Sequence, residues 1–264
     1  MSLGIIVPTL DREIQRFRHL TGARDISIHN EMARYARARG VINNLVVYPM
    51  IARQNAGTGA TVYPWGGLTR NQMTLFNGPG WTSDGLTFAA ASSQYGSIPD
   101  FLGSETITVF VRTAVNPTVG SGRTDVICQA DFGLNRRSWR QTVNHSVSPS
   151  GLELQRSSDG QTGATVEVYG GGNFPSAENT YVSQWVSGGG RGLWLNKTPE
   201  SLTLTAGFAQ TARYDSASAI TLSASLNNGS PTNFSTQTAR ALAFLTVNTD
   251  NTIRETLTDM INAL

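Results

Sequence analysis

The clearest structural signal in this chain is the segment Thr106-Ile107-Thr108-Val109-Phe110-Val111-Arg112. Ile107, Val109 and Val111 occupy every second position, and such positions share one face of a strand. β-Branched and aromatic residues, which favour strands, make up most of the segment. It therefore predicts a β-strand with an apolar face.

Similar runs continue along most of the chain. Further strands are predicted at 45–48, 86–90, 126–130, 151–155, 165–169, 181–186, 192–196, 201–205, 219–225 and 239–247. Turn-forming clusters separate them, such as Asn77-Gly78-Pro79-Gly80 and Asn227-Asn228-Gly229-Ser230. Short strands punctuated in this way are typical of an antiparallel sandwich or jelly roll, and not of a parallel sheet.

The first forty residues have helical spacing instead. Leu10, Ile14 and Phe17 recur at helical intervals, which predicts a first amphipathic helix. A second helix is predicted over 25–39, with Gly40 as its stop.

The C-terminal segment is also predicted to be helical. Thr252-x-x-Glu255 has the form of a capping box before an amphipathic run. We therefore expect a mainly β chain in two parts: a helical N-terminal leader at 1–40, and a jelly-roll domain at 41–264 that includes the closing helix.

Positive charge is concentrated in the leader. The chain of 264 residues has a net charge of +2, whereas the leader alone holds seven arginines and four acidic residues. Arginines make strong charge-assisted contacts, so we expect the leader to anchor the chain to another protein subunit. A solvated face is an equally open interpretation, and nucleic acid is disfavoured by the interspersed acids. The expected anchoring residues are Arg12, Arg16, Arg34 and Arg37.

Several classes of protein are disfavoured by missing motifs. Cys128 is the one cysteine, so no intramolecular disulfide forms, and its position in a predicted strand indicates a buried, inert thiol. His19, His29 and His145 have no ligand partner at metal-site spacing, so we expect no metal, and solvated or capping histidines. The sequence predicts no cofactor. No apolar run reaches the ~18 residues that span a bilayer.

A glycan-cleaving enzyme requires two carboxyl groups near one bond. Glu153 and Glu167 lie in predicted strands, but neither has an acidic residue two positions later on the same strand face. A one-strand catalytic pair is therefore disfavoured, whereas carboxyl groups from different strands stay open. We expect a binding protein and not an enzyme.

The candidate binding site is a polar stretch between two predicted strands. Trp185 and Trp194 lie within strands and are predicted core residues, whereas this stretch combines arginines with an aromatic residue. Such a set can hydrogen-bond and stack on a glycan or dock on an acidic neighbour; a plain exposed hairpin is the alternative. The candidate residues are Asp131, Asn135, Arg136, Arg137, Trp139 and Arg140.

Two segments carry a family resemblance. Gln94-Tyr95-Gly96-Ser97-Ile98-Pro99-Asp100 precedes the strand at 106–112, and Ala241-Leu242-Ala243-Phe244-Leu245 precedes the closing helix. This order resembles a laminin G-like, or concanavalin A-like, jelly roll. No Asp-x-Asp pair corresponds to the calcium site of some of those domains, so a metal ligand set cannot be placed.

The leader extends the resemblance. A helix followed by Gly40-Val41-Ile42-Asn43-Asn44-Leu45-Val46-Val47-Tyr48-Pro49-Met50 is similar to virion proteins of tailed bacteriophages. The resemblance implies a capsid decoration, fibre or tail protein in the virion, with other virion proteins and host-surface glycans as partners. We also expect a homo-oligomer. A stand-alone carbohydrate-binding module and a glycan-cleaving enzyme are the alternatives.

Overall fold

The structure is a computed structural model that describes residues 10–103, 106–115, 123–144, 151–161, 166–173, 177–207 and 213–264. Three α-helices lie in this part of the chain: α1 (Arg12–Thr21), α2 (Ser27–Ala38) and α3 (Asn251–Asn262). Asp11 caps α1 by accepting the N–H of Glu13, and Gly22 ends the helix in the left-handed conformation.

The described strands form two sheets. Their bounds are β1 (Leu45–Pro49), β2 (Thr61–Val62), β3 (Trp65–Gly66), β4 (Met73–Phe76), β5 (Gly80–Trp81), β6 (Leu86–Phe88), β7 (Tyr95–Ile98), β8 (Ile107–Val115), β9 (Arg123–Asp131), β10 (Arg136–Asn144), β11 (Gly151–Ser157), β12 (Val166–Asn173), β13 (Asn179–Val186), β14 (Gly190–Leu195), β15 (Thr198–Pro199), β16 (Thr203–Gly207), β17 (Ile220–Leu222), β18 (Ser225–Asn227), β19 (Ser230–Thr232) and β20 (Gln237–Leu245).

One sheet has nine strands and the other eleven, counted over the described ranges. The nine-stranded sheet has the order β15-β14-β13-β8-β20-β1-β3, with β6 beside β20 and β5 beside β6. The eleven-stranded sheet has the order β16-β12-β11-β10-β9-β17-β7-β4-β2, with β18 and β19 attached through β9. Strands distant in sequence therefore lie side by side, as in β8 and β20, which pair antiparallel from Thr108↔Leu245 to Val115↔Gln237.

The main core fills the space between the sheets. Val109 and Phe244 of the nine-stranded sheet pack there with Trp139 of the eleven-stranded sheet. The Trp139 and Trp185 rings lie 5.5 Å apart, centroid to centroid, within this core. Each of these aromatic side chains buries a large apolar area, which stabilises the packing of the two sheets.

A second core lies on the other face of the nine-stranded sheet. Ile14 of α1, Met32 of α2 and Leu257 of α3 pack against sheet residues such as Phe110 and Ala243. Strand β8 is consequently buried on both faces, whereas its alternation predicted one buried face. The division of the chain at residue 40 stays a prediction, but helices on both sides of it share this core.

The predicted strands and the three predicted helices are present, with differences at several ends, whereas β10 and several short strands such as β4 and β7 were not predicted. Asp250, and not Thr252, caps α3: its carboxylate accepts the N–H of Ile253 at 2.9 Å, so the capping-box assignment was wrong. The run at 219–225 is divided between β17 and β18. Position 165 of a predicted strand, and 1–9 of the leader, lie outside the described residues.

Candidate functional site

The candidate binding residues lie on the β9–β10 hairpin. We call residues 131–140 the arginine hairpin. Its tip, Gly133 to Arg136, is exposed and includes Leu134, whose exposed fraction is 48%. Arg136 and Asn135 therefore present their side chains to solvent, as the sequence predicted for a hairpin.

Asp131 holds this tip in place. It is 2% exposed, and its carboxylate accepts the N–H groups of Gly133 and Leu134 at 3.2 Å each. The same carboxylate accepts the N–H groups of Asn228 and Gly229 at 2.8 Å each, which joins the β9–β10 turn to the β18–β19 turn. Asp131 is thus a positioning residue buried beneath the tip, and its oxygens are occupied by backbone groups.

Two arginines lie over one aromatic ring behind the tip. The guanidinium carbons of Arg137 and Arg140 are 5.0 and 4.8 Å from the centroid of the Phe132 ring. A cation over an aromatic face is attracted by the ring quadrupole. Phe132 therefore stabilises two like charges that lie near each other. The sequence analysis did not single out Phe132, although it lies in the same stretch.

Arg140 is the better compensated of the two. Its Nε donates to Oε1 of Gln155 at 2.7 Å, and its Nη1 lies 3.3 Å from Oδ1 of Asp125. Asp125 is fully buried, and burial raises its pKa although the charge of Arg140 opposes that rise. These partners lie on β9 and β11, the strands on either side of β10, so the register of the sheet brings them together.

Arg137 is poorly compensated. Its Nη2 donates to the carbonyl oxygen of Phe132 at 3.3 Å. Its Nε and Nη1 are buried and have no hydrogen-bond partner in the described part of the chain. Burial lowers the pKa of Arg137, and the positive charge of Arg140 lowers it further. This group is therefore a cation with unused donors.

A small cavity of about 20 Å³ lies beside this pair of arginines. Its walls include Phe132, Arg137 and Arg140 from the hairpin, together with Gln155 and Arg156 from β11. A space of that size holds about one water-sized atom. A sugar ring does not fit, whereas a single oxygen atom does.

A second carboxyl group lies nearby on the same sheet face. Thr142 pairs with Asp125 on one side and with Glu153 on the other, so the two acids are two strands apart. Burial raises the pKa of Glu153, but hydrogen bonds from Arg123 and Asn144 outweigh it and the net pKa is lowered. Both acids are nearly or fully buried, so neither is open to a substrate oxygen.

Trp139 is a correction to the predicted site. It is 1% exposed, and its Nε1 donates to Oε1 of Gln129 at 3.2 Å within the main core. A β-bulge between Arg137 and Trp139 changes the register, so the indole points between the sheets and cannot stack on a ligand. Trp185 is a core residue as predicted. Trp194 instead packs against the helices, with the guanidinium of Arg254 at 3.8 Å from its ring.

The leader arginines occupy different environments. Arg37 forms two hydrogen bonds to the Asp11 carboxylate, at 2.6 and 2.8 Å, and so joins α2 to the cap of α1. Arg12 and Arg16 lie 3.8 and 3.6 Å from the carboxylate of Glu13. Arg34 is exposed and faces an open groove of about 880 Å³ whose lining includes Leu10, Tyr35, Met260, Arg24, Asp25 and Glu31. The anchoring role of these arginines stays a prediction.

His29 is a second correction, since it is neither solvated nor a cap. It is fully buried, with Nε2 3.2 Å from Oε1 of Gln54 and Nδ1 accepting the indole N–H of Trp65 at 3.2 Å. Burial lowers its pKa from 6.5 to about 4. Cys128 is buried as predicted, and burial raises the pKa of its thiol. His145 lies outside the described residues.

Neither a metal-binding cluster nor a membrane-spanning helix occurs among the described residues. No cluster of three or more His, Cys, Asp or Glu side chains in these ranges is arranged to hold a metal ion. None of the helices described here combines the length and apolar character needed to cross a membrane.

Comparison with known proteins finds similarity in structure alone. No protein-family model matches the sequence, and no curated protein matches it. Trypanosoma rangeli sialidase in complex with the inhibitor DANA has a TM-score of 0.58 at 11% identity, over 82% of this chain and 33% of the sialidase.

Botulinum neurotoxins provide two further neighbours. The serotype D ligand-binding domain, in complex with N-acetylneuraminic acid, has a TM-score of 0.57 at 5% identity, over 84% of this chain and 52% of that one. A type C neurotoxin structure, described as dependent on two ganglioside molecules for cell entry, has a TM-score of 0.60 at 10% identity, over 84% of this chain and 53% of that one. This chain thus spans between a third and about half of the length of these structures. At such identities the similarity concerns the fold alone: the chain is a jelly-roll β sandwich with N-terminal and C-terminal helices, the class predicted from its sequence.

Proposed function

We propose that this chain is a glycan-binding β sandwich that uses the arginine hairpin as its contact surface. The observation that carries the proposal is the exposed tip from Gly133 to Arg136, which buried Asp131 holds against the neighbouring turn. A surface that is rigid before binding loses little conformational entropy when a ligand binds. The ligands named for the neurotoxin neighbours, N-acetylneuraminic acid and gangliosides, agree with a glycan ligand for the same fold.

The test is a glycan array probed with the purified chain, followed by titration of the strongest glycan. Arg136→Ser removes an exposed donor at the tip, and we expect several-fold weaker binding. Arg18→Ser is the matched control, because Arg18 is an exposed arginine of α1 in the helical layer. An array without binding, or equal affinity for the two variants, would contradict the proposal.

We further propose that the chain acts in a virion, as a decoration, fibre or tail protein. The support is the sequence resemblance of the leader and the Tyr48-Pro49 strand to bacteriophage virion proteins. Many copies on one particle give avidity even when each contact is weak, so a homo-oligomer or array suits this role. Mass spectrometry of purified particles tests it. Absence from particles would favour the stand-alone carbohydrate-binding module.

Binding without catalysis is also part of the proposal. Asp125 lies 3.3 Å from Arg140, Glu153 lies on the neighbouring strand β11, and the burial of both acids supports a structural role. A retaining or inverting hydrolase needs both carboxyl groups in contact with substrate or water. Incubation with the array-selected glycan is therefore expected to release no sugar. Cleavage that is lost in Glu153→Gln would favour the enzyme alternative.

A further inference from the structure

We propose that the arginine hairpin selects an anionic group on its ligand, a carboxylate, sulfate or phosphate, and that Arg137 is the residue that receives it. The identity of the remaining ligand as a glycan rests on the proposed function above. The anion preference itself rests on the charges and donors of the hairpin.

The first step is the excess of positive charge. Arg136, Arg137 and Arg140 lie within five consecutive residues, and Arg140 alone among them has a carboxylate within 4 Å in the described ranges. That carboxylate belongs to Asp125, which is fully buried. The hairpin's own Asp131 is the second acid here, so three arginines face two aspartates, and an anion brought to this surface would meet a remaining excess of positive charge.

The second step is the pair of unused donors. Nε and Nη1 of Arg137 carry N–H groups that are buried and have no hydrogen-bond partner among the described residues. Leaving a buried charged donor unsatisfied costs free energy, and an incoming oxyanion would recover that cost. A neutral hydroxyl would recover less of it, because hydrogen bonds between charged partners are roughly twice as strong.

The third step is size. The cavity beside Arg137 and Arg140 has room for about one oxygen atom. One oxygen of an anionic group would enter it, while the sugar ring would stay outside against the exposed tip. Because the guanidinium does not lose its proton in the ordinary pH range, this preference would persist across that range.

The test compares charged sugars with their neutral counterparts, using NMR titration of the full chain. The probes are glucuronate against glucuronamide, glucose 6-sulfate against glucose, and inorganic phosphate as a free anion. We expect each charged sugar to bind about tenfold or more tightly than its neutral analogue. Raising the NaCl concentration roughly tenfold is expected to reduce that preference.

The decisive variant is Arg137→Gln, with Arg18→Gln as the control for a lost surface charge. Arg137→Gln removes a cation that is paired with no carboxylate in the described ranges, so we expect its Tm to stay close to that of the parent chain. Loss of the preference for charged sugars in Arg137→Gln, with its retention in Arg18→Gln, would support the inference. If Arg137→Gln does not fold, the preference of the unsubstituted chain for charged over neutral sugars, and the dependence of that preference on salt, test the inference.

The other outcomes separate the two proposals. Equal binding of charged and neutral sugars, or a preference that survives Arg137→Gln, would overturn the anion inference and leave glycan binding in place. Binding of phosphate without binding of any sugar would support the anion site and contradict the glycan function. Binding of none of the probes, together with an empty array, would overturn both.

Discussion

The carboxylate of Asp131 accepts the backbone N–H of Gly229 at 2.8 Å, although 98 residues separate them in the chain. The other oxygen of the same carboxylate accepts the N–H of Asn228, also at 2.8 Å. One buried side chain therefore fixes the β9–β10 turn against the β18–β19 turn. The candidate site owes its shape to this contact between two turns.

We expect Asp131→Asn to destabilise the chain by about 1–3 kcal/mol, because the amide NH₂ would face a backbone N–H that loses its acceptor. Chemical denaturation measures the free energy of unfolding. Asp84→Asn is the control: its side chain is 77% exposed and 3.5 Å from Arg240, so the expected change is below about 0.5 kcal/mol. Equal effects of the two substitutions would rule out the role assigned to Asp131.

The burial of His29 is expected to make the free energy of unfolding depend on pH. Its pKa is about 4 in the folded chain and 6.5 as an ordinary value, so the unfolded chain binds a proton first as the pH falls. The contribution of neutral His29 to the free energy of unfolding is therefore fully present above pH 6.5 and declines between pH 6.5 and about 4. Below about pH 4 this group causes no further loss. The expected loss is about 3 kcal/mol.

The measurement for His29 is the free energy of unfolding between pH 7 and pH 4, in the parent chain and in His29→Gln. The variant is expected to be less stable at pH 7 and to have a shallower pH dependence. His19→Gln is the matched control, since His19 is exposed on α1. A pH dependence that is unchanged in His29→Gln would show that other groups cause it.

Gly66 is expected to tolerate no side chain. Its φ is +122°, and an added Cβ would overlap the carbonyl oxygen of Leu45 and come within 2.9 Å of the Cα of Val46. We expect Gly66→Ala to cost about 2 kcal/mol or more in thermal or chemical unfolding. At Gly80 an added Cβ meets nothing within 4 Å, so Gly80→Ala should leave the Tm nearly unchanged. The prediction fails if the two variants unfold alike.

Trp139 and Leu134 are expected to behave in opposite ways. Trp139→Phe removes buried volume and the hydrogen bond to Gln129, which we expect to cost about 1–2 kcal/mol of stability while glycan affinity stays the same. Leu134→Ala, at the exposed tip, should change stability by less than about 0.5 kcal/mol and weaken glycan binding. If a folded Trp139→Phe variant binds glycan more weakly than the parent chain, the indole contacts the ligand after all and its assignment to the core alone is wrong.

The sequence by itself determined the class of fold. Apolar residues at every second position in 106–112, and in the other predicted strands, indicate burial of one face of a sheet. The helical spacing of Leu10, Ile14 and Phe17 indicates burial of one face of a helix. These are local patterns, because neighbouring residues in one element share one environment. The stretch 131–140 could be located by its composition, because arginines, Asp, Asn and an aromatic residue occur together there, but its second strand, β10, was not predicted.

Only the tertiary structure decided which side chains of that hairpin are available. Trp139 points into the core because a bulge changes its register, and Asp131 is occupied by a turn that lies 97 residues further along the chain. The pairing of Arg140 with Asp125 and Gln155 depends on the order of three strands. Register and strand order arise from contacts between distant segments, and periodicity within one segment carries no information about them.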